Sequence, residues 1–91
     1  MRIRFTETAD RDLQSIRDHI AEEDPVRASR IIARVLQSIS YLENFSRLGR
    51  PGLLPDTREL SIPDLPYKAV YRIEGDVILI ITIIHTSRLF P

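Results

Sequence analysis

Apolar and polar positions alternate with two different periods along this chain, and the changes of period divide it into elements. Ile3 and Phe5 alternate with Arg2 and Arg4, the period-two pattern of a short strand. Thr6 then offers an N-cap, Glu7 puts negative charge at a helix start, and Ala9, Leu13, Ile16 and Ile20 recur at three- and four-residue steps. The polar side of that helix is acidic, with Asp10, Asp12, Asp18, Glu22 and Glu23. Asp24 and Pro25 close it and open a second helix, Asp24 as N-cap and Pro25 in the first helical position. This second helix is predicted to run to about Phe45. Its apolar positions (Ala28, Ile31, Ile32, Val35, Leu36, Ile39, Leu42 and Phe45) cover nearly half its circumference, enough to pack on both a sheet and the first helix.

From Ser46 to Asp56 the residues Gly49, Pro51, Gly52 and Pro55 mark an ordered connection. Three strand-like runs follow: Arg58–Ile62, Tyr67–Ile73 and Val77–Ile84. Pro63 to Pro66 separates the first two, and Glu74, Gly75 and Asp76 make a tight hairpin turn in which Gly75 permits a positive φ. The middle run has two faces, one with Tyr67, Ala69, Tyr71 and Ile73, the other with Lys68, Val70 and Arg72, and either can point inward. The last run is apolar at nearly every position, which predicts a central strand buried on both faces. The order is β-α-α-β-β-β, an α+β fold with a helical hairpin covering one face of a small sheet. Beyond the last strand lies a tail, residues 85–91. Either it folds back to cap the core through Phe90 or it presents Arg88 to a target.

Composition narrows the function classes. The 91 residues are expected to form one domain, 1–91, because a second core would not fit. Formal net charge is zero, so bulk attraction to nucleic acid or anionic membrane is not expected. Of the thirteen basic residues only Lys68 is lysine. Arginine's planar fork suits carboxylate and phosphate recognition, although codon usage in a GC-rich genome would give the same bias. Cysteine is absent, which excludes disulfide and thiolate chemistry and favours the cytoplasm. Residues 1–20 lack the apolar core of a signal peptide, and no run approaches the roughly 20 residues of a membrane helix.

Few residues suggest chemistry. His19 and His85 are the only histidines and have no ligand spacing to a carboxylate cluster, so neither metal nor cofactor is expected. His19, on an acidic helix flank, reads as an exposed bystander. The remaining polar cluster is Arg58, Lys68, Arg72, His85 and Arg88, with Lys68 and Arg72 on one side of their strand. These residues are either contacts for a target or partners in surface salt bridges with Glu59, Asp64, Glu74 and Asp76. Arg27, Arg30 and Arg34 form a basic flank on the second helix, where no acid occurs between Pro25 and Leu42. They either bridge to acids of the first helix or bind a partner.

The run from Phe5 to Ala9 with Asp12, Leu13 and Ile16, then Asp24 and Pro25 with Ala28, then Gly49 to Gly52, Thr57 to Leu60, Tyr67 to Arg72, and His85 with Arg88 and Pro91 resembles the ParE branch of the RelE/ParE toxin superfamily. The resemblance covers essentially the whole chain. It implies a helical hairpin over a small twisted, mainly antiparallel sheet completed by the first strand. It also implies a ParD-like antitoxin whose C-terminal segment wraps the toxin and whose ribbon-helix-helix part binds operator DNA, which the toxin meets only through the antitoxin. RelE-type members cut messenger RNA on the ribosome with basic sheet residues and a C-terminal tyrosine. Here Lys68 and Arg88 match two of those cations, Glu59 and Ser61 fall where that branch tends to have lysines, and the tyrosine is missing. These departures favour the ParE branch, which poisons DNA gyrase without a catalytic step of its own.

The expectation is therefore a toxin inhibiting gyrase, with Arg58, Lys68, Arg72, His85 and Arg88 as target contacts and Arg27, Arg30 and Arg34 as antitoxin contacts. Two alternatives stay open. One is a ribosome-dependent endoribonuclease using Arg58, Lys68, Arg72 and Arg88 as cations and His85 as proton carrier. The other is an interaction domain that has lost toxicity.

Overall fold

A computed structural model describes residues 1–88 of the chain, with side chains described through residue 87. The elements are β1 (Arg2–Phe5), α1 (Glu7–Ala21), α2 (Pro25–Ser40), a 3₁₀ turn (Tyr41–Glu43), β2 (Arg50–Pro51), β3 (Arg58–Ser61), β4 (Tyr67–Glu74), β5 (Val77–His85) and a second 3₁₀ turn (Thr86–Arg88). Both expected caps form. The Thr6 hydroxyl accepts from the Ala9 N–H at 3.1 Å, and the Asp24 carboxylate accepts from the Arg27 N–H at 3.0 Å. Gly75 takes φ +59° in the two-residue turn between β4 and β5.

The sheet has five strands in the order β1-β5-β4-β3-β2. β1 runs parallel to β5 and every other pair is antiparallel, so the sheet is mixed. The fifth strand is the two-residue β2, inside a stretch the sequence marks only as a connection. Two helices pack on one face. Ala9, Ile31, Val35, Ile39 and Leu42 meet Leu60, Tyr67, Ala69, Tyr71, Ile78, Ile80 and Ile83 in a single hydrophobic cluster. That contact decides the register of β4: Tyr67, Ala69 and Tyr71 point inward, and Lys68, Val70 and Arg72 face away from the helices.

Two expectations need correction. α2 ends at Ser40, not near Phe45. The Ser40 hydroxyl bonds back to the Gln37 carbonyl, and the chain tightens into a 3₁₀ turn that drops Leu42 into the core and leaves Phe45 outside. β5 is central but buried fully on one face alone. Ile78, Ile80 and Ile83 are buried, while Val77, Leu79 and Ile84 on the other face are half-buried, because no helix covers that side.

A β-bulge in β5 explains a third difference. Val70 pairs with Thr82 and Tyr71 with Ile80, leaving Ile81 without a cross-strand partner. Side chains at the start of α1 satisfy the disrupted ladder. The Thr6 hydroxyl donates to the Ile81 carbonyl at 2.6 Å. The Asp12 carboxylate accepts from the Ile83 N–H at 3.0 Å and from the Thr82 hydroxyl. Asp12 therefore turns to the sheet instead of joining a solvated acidic face.

Candidate functional site

The face of the sheet without helices carries the expected basic residues of β4, and each is matched with an acid. Lys68 Nζ lies 3.2 Å from Glu59 Oε1, across a pair whose side chains are both mostly buried. Arg72 holds Glu74 through Nε and Nη2, each at 2.6 Å. Val70 and the half-buried Leu79 and Ile84 lie between and beside them.

Arg58 stands opposite Tyr71 in the β3–β4 ladder and so belongs to the helix side. Its guanidinium donates to the carbonyls of Gly49 at 2.6 Å and Arg47 at 3.3 Å, and in doing so fastens the connection before β3. Arg58 and Arg72 nonetheless line one open cleft of about 710 Å³ with Arg47, Asp56 and Glu74.

His85 lies at the other end of β4, paired with Tyr67, whose ring it meets edge-on at 5.3 Å. Its Nδ1 accepts from the Ser87 N–H at 3.2 Å and lies 2.6 Å from the Ser87 hydroxyl. A separate cleft of about 350 Å³ contains His85 with Asp12, His19 and Tyr67, so His19 shares a concavity with the histidine 66 residues away. Among the described residues no three potential ligands are placed to hold a metal ion. The backbone of Arg88 belongs to the last 3₁₀ turn, and its side chain lies outside the described residues, as do Leu89, Phe90 and Pro91. Of the five candidates, then, Lys68 and Arg72 share a face, Arg58 joins Arg72 at a cleft, and His85 is apart.

Arg27, Arg30 and Arg34 are exposed along α2. Arg34 reaches the loop before β4, donating to the Pro63 carbonyl at 2.7 Å with Asp64 at 3.8 Å. Among the described residues none of the three pairs with an acid of α1.

The connection from Ser46 to Asp56 is ordered, as the sequence predicts, but the residues that hold it were not legible there. Tyr71, fully buried, donates its hydroxyl to the Ser46 carbonyl at 2.7 Å and accepts from the Gly49 N–H at 2.9 Å. Burial pushes the Tyr71 hydroxyl above the ordinary phenol pKa, and the Gly49 hydrogen bond and the charges of Arg58 and Arg47 only partly offset it. Further along, the Gly52 N–H donates to the Thr57 carbonyl at 2.8 Å, the Thr57 hydroxyl to the Leu54 carbonyl at 2.7 Å, and the Leu53 N–H to Glu59 at 3.3 Å. The one available signal was the pair of glycines, since a Cβ at Gly49 would meet Tyr71 and one at Gly52 would meet Thr57.

Comparison with known proteins agrees with this geometry. Residues 3–90 match the family model described as the ParE toxin of the type II toxin–antitoxin system parDE. The protein named "Putative toxin Y4kP" of Sinorhizobium fredii is 40% identical over 90 residues, covering 99% of this chain and 93% of the relative. A chain in the structure of the chromosomal ParDE system from P. aeruginosa superposes with a TM-score of 0.87 at 27% identity, covering 93% of this chain and 95% of the other. A chain of the toxin–antitoxin complex RelBE2 from Mycobacterium tuberculosis gives a TM-score of 0.64 at 27% identity, covering 92% and 95%.

Proposed function

The chain belongs to the ParE toxin family of type II toxin–antitoxin systems, and from that premise we propose that it inhibits DNA gyrase by binding, with no catalytic step of its own, and is held inactive by a ParD-like antitoxin. The observation that carries the choice of a protein target over RNA is the charge pairing on the open sheet face. RNA cleavage needs cations free to stabilise a phosphorane and groups to move protons. Here Lys68 is bound to Glu59 and Arg72 to Glu74, which leaves that face close to neutral. His85, the proton carrier of the nuclease alternative, lies on the other side of the sheet near Tyr67.

In this reading Arg58, Lys68, Arg72, His85 and Arg88 are contacts for gyrase, and Arg27, Arg30 and Arg34 are contacts for the antitoxin. The antitoxin is of the ribbon-helix-helix type and brings the toxin to operator DNA. What supports an antitoxin partner is the likeness to chains of the ParDE system and the RelBE2 complex. Among the described residues no helix is long and apolar enough to cross a membrane.

The deciding experiment is a supercoiling assay with purified toxin and gyrase, alongside primer-extension mapping of messages after induction. Inhibited supercoiling or trapped cleaved DNA, with intact messages, is the expected result. Normal supercoiling at a stoichiometric excess of toxin refutes the proposal, and cuts inside translated codons would put the nuclease in its place.

A further inference from the structure

The loop from Ser46 to Thr57 is tied down from beneath and apolar at its tip. Tyr71, Arg58, Thr57 and Glu59 hold its backbone, while Leu53 is 87% exposed and Leu54 66% exposed. Two adjacent leucines held in water on a fixed backbone contribute nothing to the core. A flexible loop could fold such residues inward; this one is prevented from doing so by its own hydrogen bonds. Preorganisation of that kind reduces the ordering cost of association.

The surroundings are basic. Residues 46–59 contain Arg47, Arg50 and Arg58 against Asp56 and Glu59; Glu59 is already paired with Lys68, while among the described residues neither Arg47 nor Arg50 forms an ion pair. Arg47, Arg58 and Arg72 outnumber Asp56 and Glu74 in one cleft beside the loop, and Arg50 lines a mixed groove with Glu59, Tyr41, Leu48 and Leu60. We propose that this loop is the element with which the toxin engages its protein target, Leu53 and Leu54 entering an apolar socket whose rim carries carboxylates complementary to Arg47 and Arg50. The inference rests on the reading of the chain as a toxin with a protein target. It adds a docking element that none of the arginine or histidine candidates supplies. The loop follows the C-terminal end of α2, whereas Arg27 and Arg30 lie in its first two turns, about 15–20 Å away along a helix rising 1.5 Å per residue. Arg34 is nearer, about 9 Å from that end and bonded to Pro63, so the tip is separable from Arg27 and Arg30, and the antitoxin-affinity measurement below separates it from Arg34.

The test combines Leu53→Ser with Leu54→Ser in the full chain and uses Val26→Ser, another exposed apolar position, as control. Thermal melting, affinity for the cognate antitoxin, inhibition of supercoiling and growth arrest on induction are measured for each. The double variant is expected to melt within about 4 °C of the parent, because exposed side chains contribute little to stability. Antitoxin affinity should be unchanged, while the toxin dose for half-maximal inhibition or arrest should rise at least about tenfold. Arg47→Glu with Arg50→Glu should raise that dose by a comparable factor, and the parent's potency should fall with added salt.

Growth arrest at the parent's dose by the leucine variant overturns the proposal. So does a loss of antitoxin affinity equal to or greater than the loss of potency, which would assign the tip to the antitoxin. Indifference to both charge reversal and salt overturns the carboxylate rim. If the double variant melts much earlier, the single Leu53→Asn variant replaces it under the same criteria. A parent that arrests growth but leaves gyrase unaffected refutes gyrase as target, and the tip is then judged on growth arrest alone. A parent that arrests nothing overturns both readings.

Discussion

Gly49 is the point at which the loop is most sensitive to a single methyl group. It is buried, and a Cβ built on it would sit 2.6 Å from Tyr71 Cε1, 2.8 Å from the Tyr71 hydroxyl and 3.0 Å from the Glu59 carbonyl oxygen. Neither neighbour can move cheaply. The Tyr71 ring is enclosed by the core, and the Glu59 backbone is fixed in the ladder between β2 and β3. Forcing a methyl into a packed site costs about 1–3 kcal/mol. Displacing the Tyr71 hydroxyl also weakens its bonds to Ser46 and Gly49, each worth about 1 kcal/mol net. Gly49→Ala should therefore destabilise by about 3 kcal/mol, a fall in Tm of about 12–24 °C for a domain of this size. Thermal unfolding followed by circular dichroism measures it, and a fall of less than about 4 °C would refute the packing argument. A second arm isolates the cause. In a Tyr71→Phe background the hydroxyl is gone, so Gly49→Ala should cost at least about 1 kcal/mol less than in the parent. Costs that add to within about 0.5 kcal/mol would show that the two residues do not share one site.

Asp12→Ala should cost about 2–3 kcal/mol in urea unfolding, because it strips the Ile83 N–H and the Thr82 hydroxyl of their charged acceptor at the bulge; a change below about 0.5 kcal/mol would make that bond dispensable. Since burial raises the Tyr71 pKa, the stabilisation it represents is fully present below the unfolded value of 10.0 and fades as pH rises through the higher folded value. Tm should thus fall at the alkaline end, and Tyr71→Phe should remove that part of the fall. Reversing the charges of Arg27, Arg30 and Arg34 together should weaken the antitoxin complex at least about tenfold by titration calorimetry, and unchanged affinity would place the antitoxin elsewhere. Arg88→Ala should leave Tm nearly unchanged while reducing toxicity, and early melting would mark that side chain as structural.

The parts of the fold that were legible in the sequence are those governed by local periodicity and caps. Thr6 and Asp24 mark their helix starts because the bonds they make are three residues long, and Pro25 because its ring presets a helical φ at the first position. The β4–β5 hairpin is legible through Gly75 for the same reason. The end of α2 was not. The stripe from Ala28 to Phe45 continues in the sequence, but the local bond from Ser40 to Gln37 and the burial of Leu42 break the helix at a point where periodicity gives no sign. Asp12 was misread for a related reason. Helical spacing assigns it to the polar side, yet its partner is a bulge created by the pairing of β4 with β5, seventy residues later. β2 is only two residues long and owes its existence to β3, so no periodic signal could announce it.

For the candidate site the same distinction separates face from reach. Alternation along β4 placed Lys68 and Arg72 together, which the backbone of one strand is enough to decide. Arg58 sits on a neighbouring strand, and its face depends on the cross-strand match of Arg58 with Tyr71, a fact of register that composition does not carry. Once that match is made, Arg58 and Tyr71 act on the same stretch of backbone, one through the carbonyls of Arg47 and Gly49, the other through Ser46 and Gly49. Part of the basic character that drew attention to this end of the chain is therefore employed in holding a loop. The exposed leucines of that loop looked like ordinary connection residues in the sequence. They become informative only because the residues beneath them, Tyr71 above all, leave the backbone little freedom to hide them.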